Sequence, residues 1–316
     1  MCLAGFRLAE RFRLHWPLLY LGYGMNLLAV PALALAPNAS LAGFLLFLER
    51  IGKGLRTPVR DALLAQAGKA VGHGRAFGVH EFLDQAGAFL GPLWVALGVA
   101  YGGYRLGFAL LLPMALLALF LLRRARGLEP SSPETPKEKR ELLKAFLPYL
   151  GFVALFALGF AHFQLLALHL ERAGAAPTLI PLLFALAMGV DAIFALLGGL
   201  AFDRLGLKAL LPVPFLALLA TPLVLLGSGP WAWGVGVALW GGALGLQESI
   251  VRAGVGRLGG GAWAYGLFDG GFGLAWMIGS LLMGALYGLS PAHAALLSLL
   301  AEALAFLPLA FLLRKA

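Results

Sequence analysis

Apolar runs of 17 to 26 residues follow one another along almost the whole chain, at 18–36, 41–65, 76–100, 106–122, 146–170, 179–201, 210–226, 231–252, 262–287 and 292–313. An α-helix needs about 20 apolar residues to cross a bilayer. A soluble fold could not cover a chain that is 61% hydrophobic and 12% charged. The reading is therefore all-α: a polytopic transmembrane helical bundle with about ten spans. The net charge of +9 does not point to nucleic acid, because the basic residues punctuate apolar segments and form no soluble basic domain. Cys2 is the single cysteine, which excludes an internal disulfide and a thiolate metal site.

Charge is concentrated where it is least welcome. From Glu49 to Pro92 two helical patterns carry ten of the 39 charged residues. At 100° per residue, Glu49, Arg50, Lys53, Arg56, Arg60 and Asp61 fall within an arc of about 140°, opposite Leu48, Ile51, Leu55, Val59 and Ala62. A charge at the bilayer centre costs about 2.5–3.5 kcal/mol on insertion scales, so these groups face protein, water or a ligand. Arg50, Lys53, Arg56 and Arg60 read as an electropositive cavity wall suited to an anionic or polar solute. The alternative is pairing with Glu49, Asp61 and Asp84. The following helix carries His80, Glu81, Asp84 and Gln85. Further substrate-cavity candidates are Gln164, Asp191 and Gln247, together with His80 and Asp84. The candidates for proton coupling are Glu81, Asp84, Glu248 and Asp269, because coupling needs an intramembrane group that titrates. Glu248 and Arg252, at i and i+4, are expected to pair. His162 and His169 lack a neighbouring carboxylate, so no metal site is expected.

The segment 129–144 differs from the rest, with three prolines among mostly charged neighbours, and reads as a solvated linker. It divides the chain into 1–125, a linker at 126–145, and 146–316. With the basic stretch 7–15 inside, Lys69, Arg123, Arg124, Arg126, Arg204, Lys208, Arg257, Arg314 and Lys315 all fall on the cytoplasmic side. Only Arg105 and Arg172 fall outside. Both termini are thus expected in the cytoplasm. Residues 74–98 align without gaps on 262–286, so that Glu81 meets Asp269, Gly78 meets Gly266 and Arg60 meets Glu248. The repeat makes the first half about 46 residues shorter than the second. It is expected to lack one helix and most of another, unless the true start lies upstream.

The stretch Gly199-Leu-Ala-Phe-Asp203-Arg204-Leu-Gly206-Leu207-Lys208 resembles the cytoplasmic Gly-x-x-x-Asp-Arg-x-Gly-Arg-Arg/Lys loop of the major facilitator superfamily, with Leu207 in place of a basic residue. Two linked halves with a parallel repeat, and Arg50-x-Gly52-x-Gly54 in the charged helix, resemble the same family. A first-half copy of the loop is degenerate around Gly5, Glu10, Arg11 and Arg13. The resemblance implies two pseudo-symmetric halves and alternating access, with Gly199, Asp203, Arg204, Gly206 and Lys208 as a gating motif.

The expected function is secondary active transport of a small solute, anionic or amphipathic, across the inner membrane with proton coupling. The expected partners are that solute and the lipid bilayer, with a monomer as the working unit. No Gly-x-Ser-x-Gly, His-Glu-x-x-His or phosphate-binding loop occurs, so neither enzyme activity nor a cofactor is expected. The rival readings are an intramembrane enzyme acting on a lipid-linked phosphate and a truncated remnant that no longer transports.

Overall fold

A computed structural model describes residues 15–128, 139–176, 178–258 and 262–315. Cys2, the basic stretch before His15, the degenerate motif around Gly5, Glu10, Arg11 and Arg13, and the linker residues 129–138 lie outside the described residues. The described chain is helical almost throughout: α1 (His15–Ala32), α2 (Ala39–Val71), α3 (His73–Ala109), α4 (Leu112–Leu128), α5 (Lys139–Gly159), α6 (Phe163–Arg172), α7 (Leu179–Leu205), α8 (Pro212–Leu226), α9 (Gly229–Leu246), α10 (Arg252–Arg257), α11 (Ala262–Leu289) and α12 (Pro291–Lys315). A 3-10 turn, Gly206–Leu210, joins α7 to α8, and a π-helical turn, Gln247–Val251, joins α9 to α10. Among the described residues six helical stretches are long and apolar enough to cross a membrane, and α8 is a shorter apolar helix.

The chain divides into two compact units. The first takes the described residues of Met1–Gln66, Ala86–Pro136 and Gly260–Leu267. There α1 packs against α4, and Trp16, Leu18, Leu19, Val59 and Leu63 form the buried cluster. The backbones of α1 and α2 touch. A Cβ on Gly52 would lie 2.6 Å from the carbonyl oxygen of Gly22, so two glycines replace the usual side-chain layer. α3 does not run straight. Gly102 and Gly103 are non-helical, with φ +74° at Gly103, and Trp94 Nε1 donates to the carbonyl of Leu110 at 3.0 Å. The chain turns back at this pair, so the long apolar stretch His73–Gly127 is two legs.

The second unit takes the described residues of Ala67–Gln85, Lys137–Gly259 and Phe268–Ala316. α9 packs on α7 and α8, while α12 packs on α5 and α8. Phe146, Tyr149, Phe152, Phe156 and Phe160 fill the core along α5, and the Tyr149 hydroxyl donates to the carbonyl of Val251. Two features depart from the sequence reading. Residues 68–74 are not a loop: α2 continues to Val71, and Gly72 alone, at φ +103°, separates it from α3. The span at 146–170 is interrupted at Phe160–His162, between α5 and α6.

Candidate functional site

Two glycine stripes build the site. α3 opens with Gly74-x-x-x-Gly78, and α9 ends with Gly241-x-x-x-Gly245. Both lie on α7. A Cβ on Gly74 would stand 2.1 Å from the carbonyl oxygen of Gly199, and one on Gly78 would stand 2.7 Å from that of Ala195. On α9, a Cβ on Gly241 or Gly245 would stand 2.3 Å or 2.2 Å from the carbonyl of Ala187 or Asp191. Small residues at i and i+4 are what lets helix backbones touch without side chains between them. In each stripe the residue three beyond the second glycine, one turn further on, is a glutamate: Glu81 on α3 and Glu248 after α9.

The result is a cluster of three carboxyls from three helices. One oxygen each of Glu81, Asp191 and Glu248 lies within 4.8 Å of the other two. Glu81 and Asp191 are buried, Asp191 at 0% exposure. Gln85 Nε2 donates to Glu81 Oε1 at 2.9 Å and to Asp191 Oδ2 at 3.1 Å. Asp191 Oδ1 has no hydrogen-bond partner among the described residues. Three negative charges at this spacing in a low-dielectric interior repel strongly, so the cluster is suited to hold a proton or a cation. Beside it on the chain, Arg252 Nη1 stands 3.2 Å from Asp269 Oδ1, with its guanidinium 5.7 Å from the Phe268 ring. Glu248 lies in the π turn, where one extra residue per turn alters which side chains share a face; such turns recur at functional sites.

The other candidates lie elsewhere. Asp84 is exposed, three residues beyond Glu81, and His80 is half-buried. Gln247 is buried in the π turn, and Gln164 is exposed on α6. In the first unit Arg50 pairs with Glu49 at 3.1 Å, its own side chain 77% exposed. Arg60 pairs with the buried Asp61 at 2.7 Å. The Arg56 guanidinium stacks 4.3 Å over Tyr23, and Lys53 is exposed. Glu49 also accepts from Asn26 Nδ2 at 2.7 Å. This pair sits on the wall of a mostly apolar cavity of about 1070 Å³ that Leu90, Trp94, Leu97 and Met114 help to line.

The Gly199–Lys208 motif is built around Asp203. Its Oδ1 accepts from the backbone N–H of Gly74 at 2.7 Å, and its Oδ2 from that of Arg75 at 2.9 Å. A carboxylate thus caps the positive end of α3. Gly206 takes φ +61° against the Arg257 guanidinium, while Arg204 and Lys208 are exposed. Leu207, where the family motif carries a basic residue, is 7% exposed and belongs to the core.

Two participants escaped the sequence reading. Gln85 was noted on its helix but not as the link between Glu81 and Asp191. Glu302, a buried acid on α12, was not singled out. Its signal was available: it is the one carboxyl in an otherwise apolar span, and an intramembrane carboxyl is by default a functional candidate.

Comparison with known proteins agrees with this architecture. The Major Facilitator Superfamily model matches residues 3–262. The uncharacterized protein Rv2265 of Mycobacterium tuberculosis is 38% identical over 300 residues, covering 90% of this chain and 73% of the relative. Two solved structures share the fold. The human organic anion transporter MFSD10 superposes with TM-score 0.69 at 19% identity, covering 94% of this chain and 77% of its own. The Escherichia coli fucose:proton symporter FucP superposes with TM-score 0.70 at 16% identity, covering 98% and 87%. The chain belongs to the major facilitator superfamily. It is a multi-pass integral membrane protein of a family of secondary transporters, whose members move small solutes across a lipid bilayer.

Proposed function

We propose that this protein couples the movement of a small amphipathic solute to protons, and that Glu81, Asp191 and Glu248 take up and release the coupled proton. The observation that carries the reading is the three-carboxyl cluster, in which Glu81 and Asp191 are buried and Glu248 is half-buried. It joins three helices, its charges cannot all coexist, and Gln85 is the neutral donor bridging two of its members. The Arg252–Asp269 pair supplies a nearby charge whose partnership a protonation change would perturb. An amphipathic solute is favoured over a purely anionic one by two features of the first unit. Its cavity is lined mainly by apolar side chains with one amide–carboxylate pair, and Arg50 and Arg60 each have an adjacent carboxylate as partner. FucP, which shares the fold, is by its description a proton symporter, and MFSD10 is an organic anion transporter. We place the protein in the cytoplasmic membrane with both termini inside, as the distribution of basic residues favours.

Proteoliposomes loaded with a pH-sensitive dye test the coupling. A panel of amphipathic solutes is added from outside, with flux and internal pH followed together. A transported solute should move protons in the wild type. Glu248→Gln and Glu81→Gln should lower coupled proton movement at least tenfold while solute binding persists. Solute flux that is indifferent to an imposed pH gradient would sink the reading.

A further inference from the structure

A second ionisable group is buried in another part of the same unit. Between His293 and Arg314 the only polar residues of α12 are Ser298 and Glu302. They stand at i and i+4, one above the other on the helix. Both are 0% exposed. Neither carboxylate oxygen of Glu302 has a hydrogen-bond partner among the described residues.

What Glu302 abuts makes this more unusual. A Cβ on Gly159 would lie 2.9 Å from Glu302 Oε1, so the carboxyl rests against the last residue of α5, where the span breaks. The broken backbone presents carbonyls that a continuous helix would have used. Neutral donors hold three of them. Ser298 Oγ donates to the carbonyl of Gly159 at 2.8 Å, Trp276 Nε1 to that of Phe160 at 3.0 Å, and Trp240 Nε1 to that of Ala161 at 2.8 Å. A helix C-terminus carries the negative end of the macrodipole, which makes it the wrong end for a carboxylate and the right end for a cation.

Among the described residues, no charged side chain of the elements packed on α12 is placed to answer this charge. α12 packs on α5, on α8 and on the turn Gly206–Leu210, whose one charged residue, Lys208, is exposed. α8 has no charged residue, and the charges of α5 (Lys139, Arg140, Glu141 and Lys144) lie fifteen or more residues before Gly159, about 22 Å or more at helical rise. Arg314 is twelve residues from Glu302, about 18 Å along α12. The site therefore holds one negative charge and several oxygens with spare lone pairs: two on the Glu302 carboxylate, the Ser298 hydroxyl and the Gly159 carbonyl. Oxygen donors suit hard cations. A single carboxylate balances a monovalent ion, whereas a divalent ion would leave a net positive charge in the interior. Broken membrane helices elsewhere bind sodium ions through unwound carbonyls and half-helix C-termini.

We infer that the break between α5 and α6 is a sodium site, formed by the Glu302 carboxylate, the Ser298 hydroxyl and the carbonyl of Gly159. It is separate from the Glu81–Asp191–Glu248 cluster and is read out by binding rather than by flux, so it stands or falls independently of proton coupling.

The test is thermal unfolding of the purified full chain in detergent, titrated with NaCl against choline chloride and KCl at constant ionic strength. Sodium should raise the melting temperature saturably by about 2–4 °C, as a ligand that binds only the folded state does. Choline and potassium should not, and Glu302→Gln should abolish the rise. A wild type that melts identically in all three salts overturns the site; its carboxyl then holds a proton. A sodium effect of equal size in Glu302→Gln overturns it too. If Glu302→Gln is not monodisperse, Ser298→Ala carries the test. Its half-saturating sodium concentration should rise at least threefold, and an unchanged value sinks the assignment.

Discussion

Both carboxylate oxygens of Asp203 accept hydrogen bonds from backbone amides at the first turn of α3, at 2.7 Å and 2.9 Å. Capping of this kind contributes about 1–2 kcal/mol, and the negative charge adds a favourable term with the helix dipole. Asp203→Ala should therefore lower stability by about 1–2 kcal/mol, and Asp203→Asn, which keeps one acceptor and loses the charge, by roughly half as much. Denaturation midpoints of the purified variants decide it; an unchanged midpoint for the alanine variant would mean that water satisfies the amides equally well. The motif that contains Asp203 was legible in the sequence, but its partner was not. Gly74 and Arg75 lie more than 120 residues away; the two backbone amides they contribute carry no mark in a side-chain pattern, and Arg75 Nε stands 3.8 Å from Asp203 Oδ2 besides. The same holds for the carboxyl cluster. Glu81, Asp191 and Glu248 were each recognisable as acids out of place in a span, yet nothing local says that the three meet. The glycine stripes that bring them together were visible only as composition.

Elements show the limit from another side. Hydropathy reads 146–170 as one unbroken span, because Phe160, Ala161 and His162 are all compatible with a helix. The break is held by tertiary contacts: the indoles of Trp240 and Trp276 on the carbonyls it frees, Trp240 stacked on Phe160 at 5.4 Å, and Trp276 stacked on His162 at 4.5 Å. Trp240→Phe keeps a ring but removes the donor from a buried carbonyl, which should destabilise the protein by about 1–3 kcal/mol. Trp276→Phe should act similarly. Because the two carbonyls are adjacent, the double variant should lose more than the sum of the singles. Melting temperatures of the four proteins give the coupling directly, and strict additivity would show that the two indoles hold the break independently. The opposite error occurred at 68–74, where glycine content suggested a loop. Helical hydrogen bonding continues through Gly68 instead, and one left-handed residue, Gly72, makes the whole turn.

For the molecule as a whole, composition and the spacing of apolar runs were enough to read an all-α membrane protein, because a bilayer leaves a long apolar chain few alternatives to helices; the resemblance to the major facilitator superfamily rested on the Gly199–Lys208 motif and the internal repeat. Orientation is open to direct measurement. In a Cys2→Ser background, a cysteine at Ala173, after α6, should react with a membrane-impermeant maleimide on intact cells. One at Lys208, in the turn before α8, should react only after the membrane is broken. The reverse pattern would overturn the proposed topology. The joint at Gly72 has a mechanical consequence. Gln85 lies thirteen residues beyond it, about 20 Å along a stiff helix, so a swing of about 10° at the joint displaces that end by about 3.4 Å. That exceeds the whole 3.1 Å length of the hydrogen bond from Gln85 to Asp191. Asp203 grips α3 two residues from the fulcrum, where the same swing amounts to about half an ångström. The short arm of the lever is clamped, and the long arm carries Glu81 and Gln85, the part of the carboxyl cluster that α3 supplies.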